Sequence, residues 1–297
     1  MTSRTRGDLC PGVLRPWPAE DGALVRLRLI GGEVLPRSLA ALMEVATAFG
    51  NGTVHLTRRA NLQLRALPSS DGCLDADVVA AIAATGLLPV PSHELVRNVL
   101  VSPLTGLDAP QPCRLLSPGD SERHVNAGRV DLRPMAAALD EGLCADPVYA
   151  GLSARFLFVL DDGRGDVIDR RGDLGLIALD ASRCQVRVGD EWGPVVAVDD
   201  AVPLLLDLAR AFVAARGTGP EAPWHVNELS DLLHPVVPAD PATRVRSEPP
   251  AYGVLATGIE HVPVPDGLLD ASLLAQLLER HPARLVVTPW RSVIACT

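Results

Sequence analysis

The richest run of chemistry-bearing side chains is His55-Leu56-Thr57-Arg58-Arg59-Ala60-Asn61-Leu62-Gln63-Leu64-Arg65. On an extended strand, Arg59, Asn61, Gln63 and Arg65 would share one face, because side chains alternate with a period of two. Guanidinium forks grip carboxylates through two parallel hydrogen bonds, and amides add neutral donors beside them. Such a row suits an anionic ligand. A solvated strand face is the alternative that these residues alone leave open.

Other groups are poorer candidates. Cysteines stand at 10, 73, 113, 144, 184 and 296, too far apart for a zinc or iron–sulfur spacing. A disulfide framework is not expected in a cytoplasmic chain of this size. Asp161-Asp162-Gly163-Arg164-Gly165-Asp166 lacks calcium-loop spacing and reads as a turn. His55, His93, His124 and His225 have no ligand-like spacing, and no glycine-rich phosphate loop is present.

Composition narrows the classes. All 27 basic residues are arginine, so every positive site must use a guanidinium. A net charge of -9 and a pI near 5.2 argue against a nucleic-acid footprint. A hydrophobic content of 47% argues against disorder. The longest uncharged run, Val78 to Ser92, is too short for a membrane span and contains Pro89 and Pro91. Met1 to Trp17 lacks the apolar core of a signal peptide, so a cytoplasmic location is expected.

The elements that must position the arginines follow from periodicity. Leu24 to Ile30 alternates as a half-buried strand, and Pro36 opens a helix that Gly50 closes. Val54 to Thr57 and Leu62 to Ala66 read as strands, and Asp75 to Thr85 as a helix. The resulting β-α-β-β-α order is that of a ferredoxin-like half. In the middle, Asp131 to Glu141 and Ala201 to Arg216 read as helices. Phe156 to Leu160, Leu174 to Leu179, Gln185 to Val188 and Val195 to Val198 read as strands. Proline-rich Pro220 to Pro223 and Pro235 to Pro250 read as linkers. The last segment repeats the first at an ungapped register of i+231: Leu42 meets Leu273, Val54 meets Leu285, Thr57 meets Thr288 and Leu62 meets Val293. The matching helix is Asp270 to His281. The domains are therefore expected at 1–90, 91–240 and 241–297.

Thr57-Arg58-Arg59-Ala60-Asn61-Leu62-Gln63 resembles the T-x-R-x-x-x-Q motif of the siroheme-dependent nitrite and sulfite reductases. Arg97-Asn98-Val99 resembles that family's R-N-V motif. Leu152-Ser153-Ala154-Arg155-Phe156 resembles its L-P-x-K-F, with Arg for Lys and the proline lost. Within the superfamily, Arg155 to Val167 and Thr288-Pro289-Trp290-Arg291-Ser292 look like the precorrin-3B synthases of aerobic cobalamin biosynthesis. The resemblance implies an α+β fold, with two ferredoxin-like halves related by a pseudo-twofold and flanking a nitrite/sulfite reductase-type α/β middle domain. It implies an anionic tetrapyrrole as substrate or cofactor, held by Arg59, Asn61, Gln63, Arg97, Asn98 and Arg155, and an external electron donor. It implies oxygen-dependent hydroxylation of precorrin-3A with lactone formation. Nitrite or sulfite reduction, and a non-catalytic tetrapyrrole binder or scaffold, are the alternatives. The family's cofactors are siroheme and a [4Fe-4S] cluster whose ligands follow C-x5-C and C-x3-C. No such spacing occurs before Thr297, so a truncated or split enzyme, with a separate C-terminal polypeptide as partner, is expected. No nucleic-acid or membrane partner is expected.

Overall fold

The computed structural model describes residues 8–107, 126–219, 221–280 and 282–297. Cys113, His124, Pro220 and His281, named above, lie outside them. In chain order the first part has β1 (Trp17–Ala19), β2 (Gly22–Leu27), β3 (Glu33–Val34), α1 (Pro36–Phe49), β4 (Thr53–Leu56) and β5 (Leu62–Leu67). A small hairpin, β6 (Ser69–Ser70) and β7 (Cys73–Leu74), leads into α2 (Ala76–Ala84). The middle has β8 (Val99–Val101), α3 (Arg133–Ala145), β9 (Phe158–Asp161), β10 (Leu174–Ala178), β11 (Arg183–Val188), β12 (Glu191–Ala197) and α4 (Ala201–Arg216). The last part has β13 (Gly253–Ala256), β14 (Ile259–Val262), β15 (Leu268–Asp270), α5 (Ala271–Leu278), β16 (Arg284–Val287) and β17 (Val293–Cys296).

These elements form two compact units. One joins Leu9–Arg97 to Pro250–Thr297, and the other comprises Asn98–Pro249 with Asp8. The first unit shows the duplication directly. Its two five-stranded sheets run β1-β2-β5-β4-β15 and β13-β14-β17-β16-β3. Each half lends its third strand to the edge of the other half's sheet, so the two halves are equivalent and interlocked. The connections match in detail. Ala60 and Arg291 both adopt positive φ, 55° and 62°. Thr57 and Thr288 each accept on the side-chain oxygen from the backbone four residues on, Asn61 N–H at 3.0 Å and Ser292 N–H at 3.2 Å. The ungapped register holds from β4 and β16 onward. Earlier it slips by four residues, because Leu27 pairs with Leu62 as Val262 pairs with Val293. The second half is shorter where α5 stops, so Leu24 answers to Ile259 rather than Leu255.

Glycine makes the exchange possible. Gly32 (φ 76°) precedes β3, and a Cβ there would stand 2.1 Å from the carbonyl oxygen of Val287 in the other half. Gly267 precedes β15 with φ 71°, against the carbonyl of Leu56. α1 starts at Pro36 because proline loses nothing at the first helical turn, and it buries Leu39, Leu42, Met43 and Ala46.

In the other unit β8, β9 and β10 are parallel, and β10, β11 and β12 are antiparallel. The parallel strands are buried along their whole length, which is why they read as apolar runs without alternation. Phe156 packs against Phe158 and against Phe212 of α4, at ring separations of 5.2 and 4.9 Å. Ile168, Ile177, Leu179 and Val245 form a further buried cluster, with Trp192 against it.

Candidate anion-binding site

The T-R-R-A-N turn places the first arginines. Thr57 N–H donates to the Asn61 carbonyl and Ala60 N–H to the Thr57 carbonyl, so the chain turns tightly between β4 and β5. The strand begins only at Leu62, and alternation from Arg59 to Arg65 is therefore broken. The expected four-residue row does not form. Asn61 is buried, and its side-chain oxygen accepts from Leu29 N–H at 2.9 Å. Arg65 pairs with Asp21 at 3.1 Å. Gln63 stays on the half-buried face, opposite Arg26 of β2, whose Nη2 donates to its Oε1 at 3.4 Å.

Arg26 and Arg28 did not figure among the expected site residues. Their alternation reads only as the polar face of a half-buried strand. Instead Arg28 is 5% exposed, and its Nη1 donates to the carbonyls of Pro11 and Arg26. Burial, then the charge of Arg26, pushes its guanidinium down to about 10, with Arg59 adding to the effect. It remains charged at neutral pH. Arg26 buries its Nε without a hydrogen-bond partner among the described residues. A buried donor left unmade is costly, and such a donor calls for an acceptor. The signal in the sequence was two arginines two residues apart, hence on one strand face, just before Gly31-Gly32.

A cleft in this unit is lined by Arg26, Arg28, Leu87, Leu88, Glu94 and Arg97. Arg97 is 7% exposed. The acid in the cleft is already engaged, since Glu94 accepts from Val13 N–H at 2.6 Å and Leu14 N–H at 2.9 Å. Gly12 permits this, because a Cβ there would meet the Glu94 carboxylate at 2.5 Å. The structure thus gathers Arg26, Arg28, Arg59 and Arg97 with Gln63 in one unit, and commits Glu94 largely to backbone. Clustered guanidinium groups with one buried acid favour an anion with several carboxylates.

The remaining two expected residues belong to the other unit. Asn98 is buried, and its Nδ2 donates to the Ala154 carbonyl at 3.1 Å, which ties β8 to the turn before β9. Arg155 is half exposed, stacks on Trp224 at 4.7 Å, and lies 3.7 Å from Asp8.

Thiolate chemistry finds no counterpart here. Among the described residues Cys10, Cys73, Cys144, Cys184 and Cys296 form no disulfide. The metal-competent group of three or more side chains among them is Asp161, Asp162 and Asp166, with no sulfur. These cysteines do not fit an iron–sulfur cluster. No helix among the described residues is long and apolar enough to cross a membrane.

Comparison with known proteins bears on this arrangement. Residues 17–71 match the nitrite/sulfite reductase ferredoxin-like half domain. A precorrin-3B synthase from Sinorhizobium sp is 31% identical over 163 residues, which are 55% of this chain and 30% of that protein. The Mycobacterium tuberculosis NirA protein superimposes with a TM-score of 0.60 at 15% identity, over 99% of this chain and 57% of that one. The chain therefore spans only part of each.

Proposed function

From a chain that is a precorrin-3B synthase-like member of the nitrite/sulfite reductase superfamily, we infer an oxidoreductase that binds an anionic tetrapyrrole. The observation that carries the reading is the convergence of Arg26, Arg28, Arg59 and Arg97 on one unit, with a buried Arg26 Nε that lacks a partner. These residues would hold the acetate and propionate groups of the ring, and Gln63 would keep Arg26 oriented. Arginine suits this role and not proton delivery, because it stays protonated far above neutral pH. The specific reaction we propose is the hydroxylation of precorrin-3A with lactone formation. Dioxygen is the oxidant and an external donor supplies electrons. Siroheme, where bound, supplies the redox chemistry; the residues named here bind and orient the anionic ring. The described cysteines do not fit an iron–sulfur cluster. That misfit favours one second reading, a tetrapyrrole-binding protein without catalysis.

The test is a spectrophotometric titration of the full chain with siroheme, and with uroporphyrin as a metal-free polycarboxylate. We expect saturable binding that Arg97→Ala and Arg28→Ala each weaken about tenfold or more, the loss of a charge-assisted hydrogen bond. Failure of the folded wild-type chain to bind either ring, or unchanged affinity in both variants, overturns the reading. Aerobic turnover of precorrin-3A, followed by the mass gain of the product, separates the enzyme from the carrier.

A further inference from the structure

Resting on the anion-binding reading above, we propose that residues 9–15 form an autoinhibitory strap, which holds Arg28 in the resting chain and lifts when an anionic ring takes its place. Arg28 is 5% exposed and Arg97 is 7% exposed. No ring carboxylate reaches guanidinium groups covered to that extent unless the cover moves. The strap is part of that cover. Arg28 Nη1 donates to the Pro11 carbonyl at 3.3 Å, and Pro11, Gly12 and Val13 are all buried.

One fastener is the Pro11 carbonyl on Arg28. Another is Glu94, whose carboxylate oxygens accept from Val13 N–H at 2.6 Å and Leu14 N–H at 2.9 Å. An anion weakens both. A carboxylate makes a stronger, charge-assisted bond to a guanidinium than a neutral carbonyl does, so it displaces Pro11. Glu94 lines the same cleft as Arg28, so a second negative charge arriving there repels its carboxylate. The ligand therefore acts on the two fasteners in the same direction.

The strap is closed on itself. Gly12 N–H donates to the Arg15 carbonyl at 3.0 Å, and Arg15 Nη2 donates to the Cys10 carbonyl at 2.9 Å. These bonds travel with the strap when it lifts. Val13, 1% exposed, seats it by burying an apolar side chain, so the closed position is the resting one. Gly12 lets the backbone come close to Glu94, since a Cβ there would stand 2.5 Å from the carboxylate oxygen.

Phenylglyoxal labelling of arginine side chains, mapped by peptide mass, tests the strap in the full chain without any ring. Wild-type Arg28 should label slowly. Glu94→Gln loosens one fastener, and Gly12→Ala pushes the strap off it. Each should speed Arg28 labelling about tenfold or more, the weight of a charge-assisted hydrogen bond, while the amides of β2 and β5 keep their protection from exchange. Uroporphyrin is then the probe. It should speed exchange of the Val13 and Leu14 amides in the wild type, and it should bind Gly12→Ala more tightly. Arg28 that stays unlabelled in both folded variants overturns the strap as its cover. Added protection of Val13 and Leu14 on binding, or binding by Gly12→Ala no tighter than by wild type, overturns the autoinhibition. Arg28 labelled in both variants, with no ring bound by any of the three chains, overturns the tetrapyrrole reading and leaves the strap standing.

Discussion

Replacing Arg164 by leucine should destabilise the middle unit in a pH-dependent way. Arg164 is 1% exposed. Its Nε and Nη2 grip both oxygens of Asp162 at 2.9–3.2 Å, and its Nε lies 3.8 Å from Asp166. Its Nη1 donates to the Asn126 carbonyl at 3.2 Å. Asp161 beside it spends its oxygens on the backbone N–H groups of Gly163, Gly165, Val167 and Ile168. Three carboxylates thus share one buried cation. Breaking a buried pair by removing one partner costs about 3–5 kcal/mol, a large part of a total stability of about 5–15 kcal/mol. Proton uptake caps that cost. Burial, then the charge of Asp161, raises Asp166 well above the ordinary carboxylate range, and burial also raises Asp162 against the pull of Arg164. A raised carboxyl is protonated more readily in the folded chain. Its contribution is present at low pH and lost as pH rises through the folded value. Without Arg164 both acids rise further, so the deficit should be largest at neutral pH and shrink toward about pH 5. Urea unfolding of wild type and Arg164→Leu across that range measures it. Adding Asp162→Asn should recover part of the loss. A deficit below about 1 kcal/mol at neutral pH, or one of constant size across the range, refutes the reasoning.

Four further outcomes are expected. Gly32→Ala should cost more than about 2 kcal/mol, because its Cβ meets the Val287 carbonyl at 2.1 Å, whereas Gly52→Ala, also at positive φ but with open space, should cost about 1 kcal/mol; thermal melts compare them. Ser292→Ala should cost about 1–3 kcal/mol, since Ser292 Oγ lies 2.6 Å from the Nε2 of buried His261. Burial lowers His261 below its ordinary value, so its contribution is present above about pH 6.5 and is lost as pH falls; the acid limb of the wild-type stability curve should be shallower in His261→Gln. Burial pushes the Cys184 thiol up to about 12, so iodoacetamide at neutral pH should label exposed Cys73 and leave Cys184 unmodified until the chain unfolds, as peptide mapping would show.

Elements were legible where one period dominated. Ala201 to Arg216 reads as a helix and is one, because Leu205, Leu208 and Phe212 recur on one buried face before Gly217. The repeat was legible from β4 onward, where sheet register fixes spacing, and slipped before it, where helices of different length are free to change the count. Short strands such as β3 and β15 were not legible. Each is stabilised by pairing with the opposite half, a contact that local pattern does not encode. The same reason hid Arg28. Its burial depends on Pro11, far away in sequence, and alternation alone describes a strand face without saying what covers it. Asn61 was legible as a polar residue in the right turn, but its partner Leu29 lies on a neighbouring segment.

The duplication also says which half can carry the proposed anion surface. With the sheets aligned by Leu27–Leu62 and Val262–Val293, Arg26 answers to His261, Gln63 to Ile294 and Arg59 to Trp290. Arg28 falls opposite Pro263. The second half keeps the turn and loses these cations. It uses the equivalent space for a buried chain of hydroxyls and imidazole, with Thr288 and Ser292 side-chain oxygens 2.6 Å apart and His261 bonded onward to the Pro250 carbonyl at 3.0 Å. A neutral network with its hydrogen bonds made offers nothing to a polycarboxylate, whereas the first half leaves a buried guanidinium donor unmatched. Two copies of one backbone have therefore diverged into a cationic face and a self-satisfied one. The proposed reading therefore expects one tetrapyrrole per chain, and a titration that saturated at two would refute this assignment of the surface to the first half.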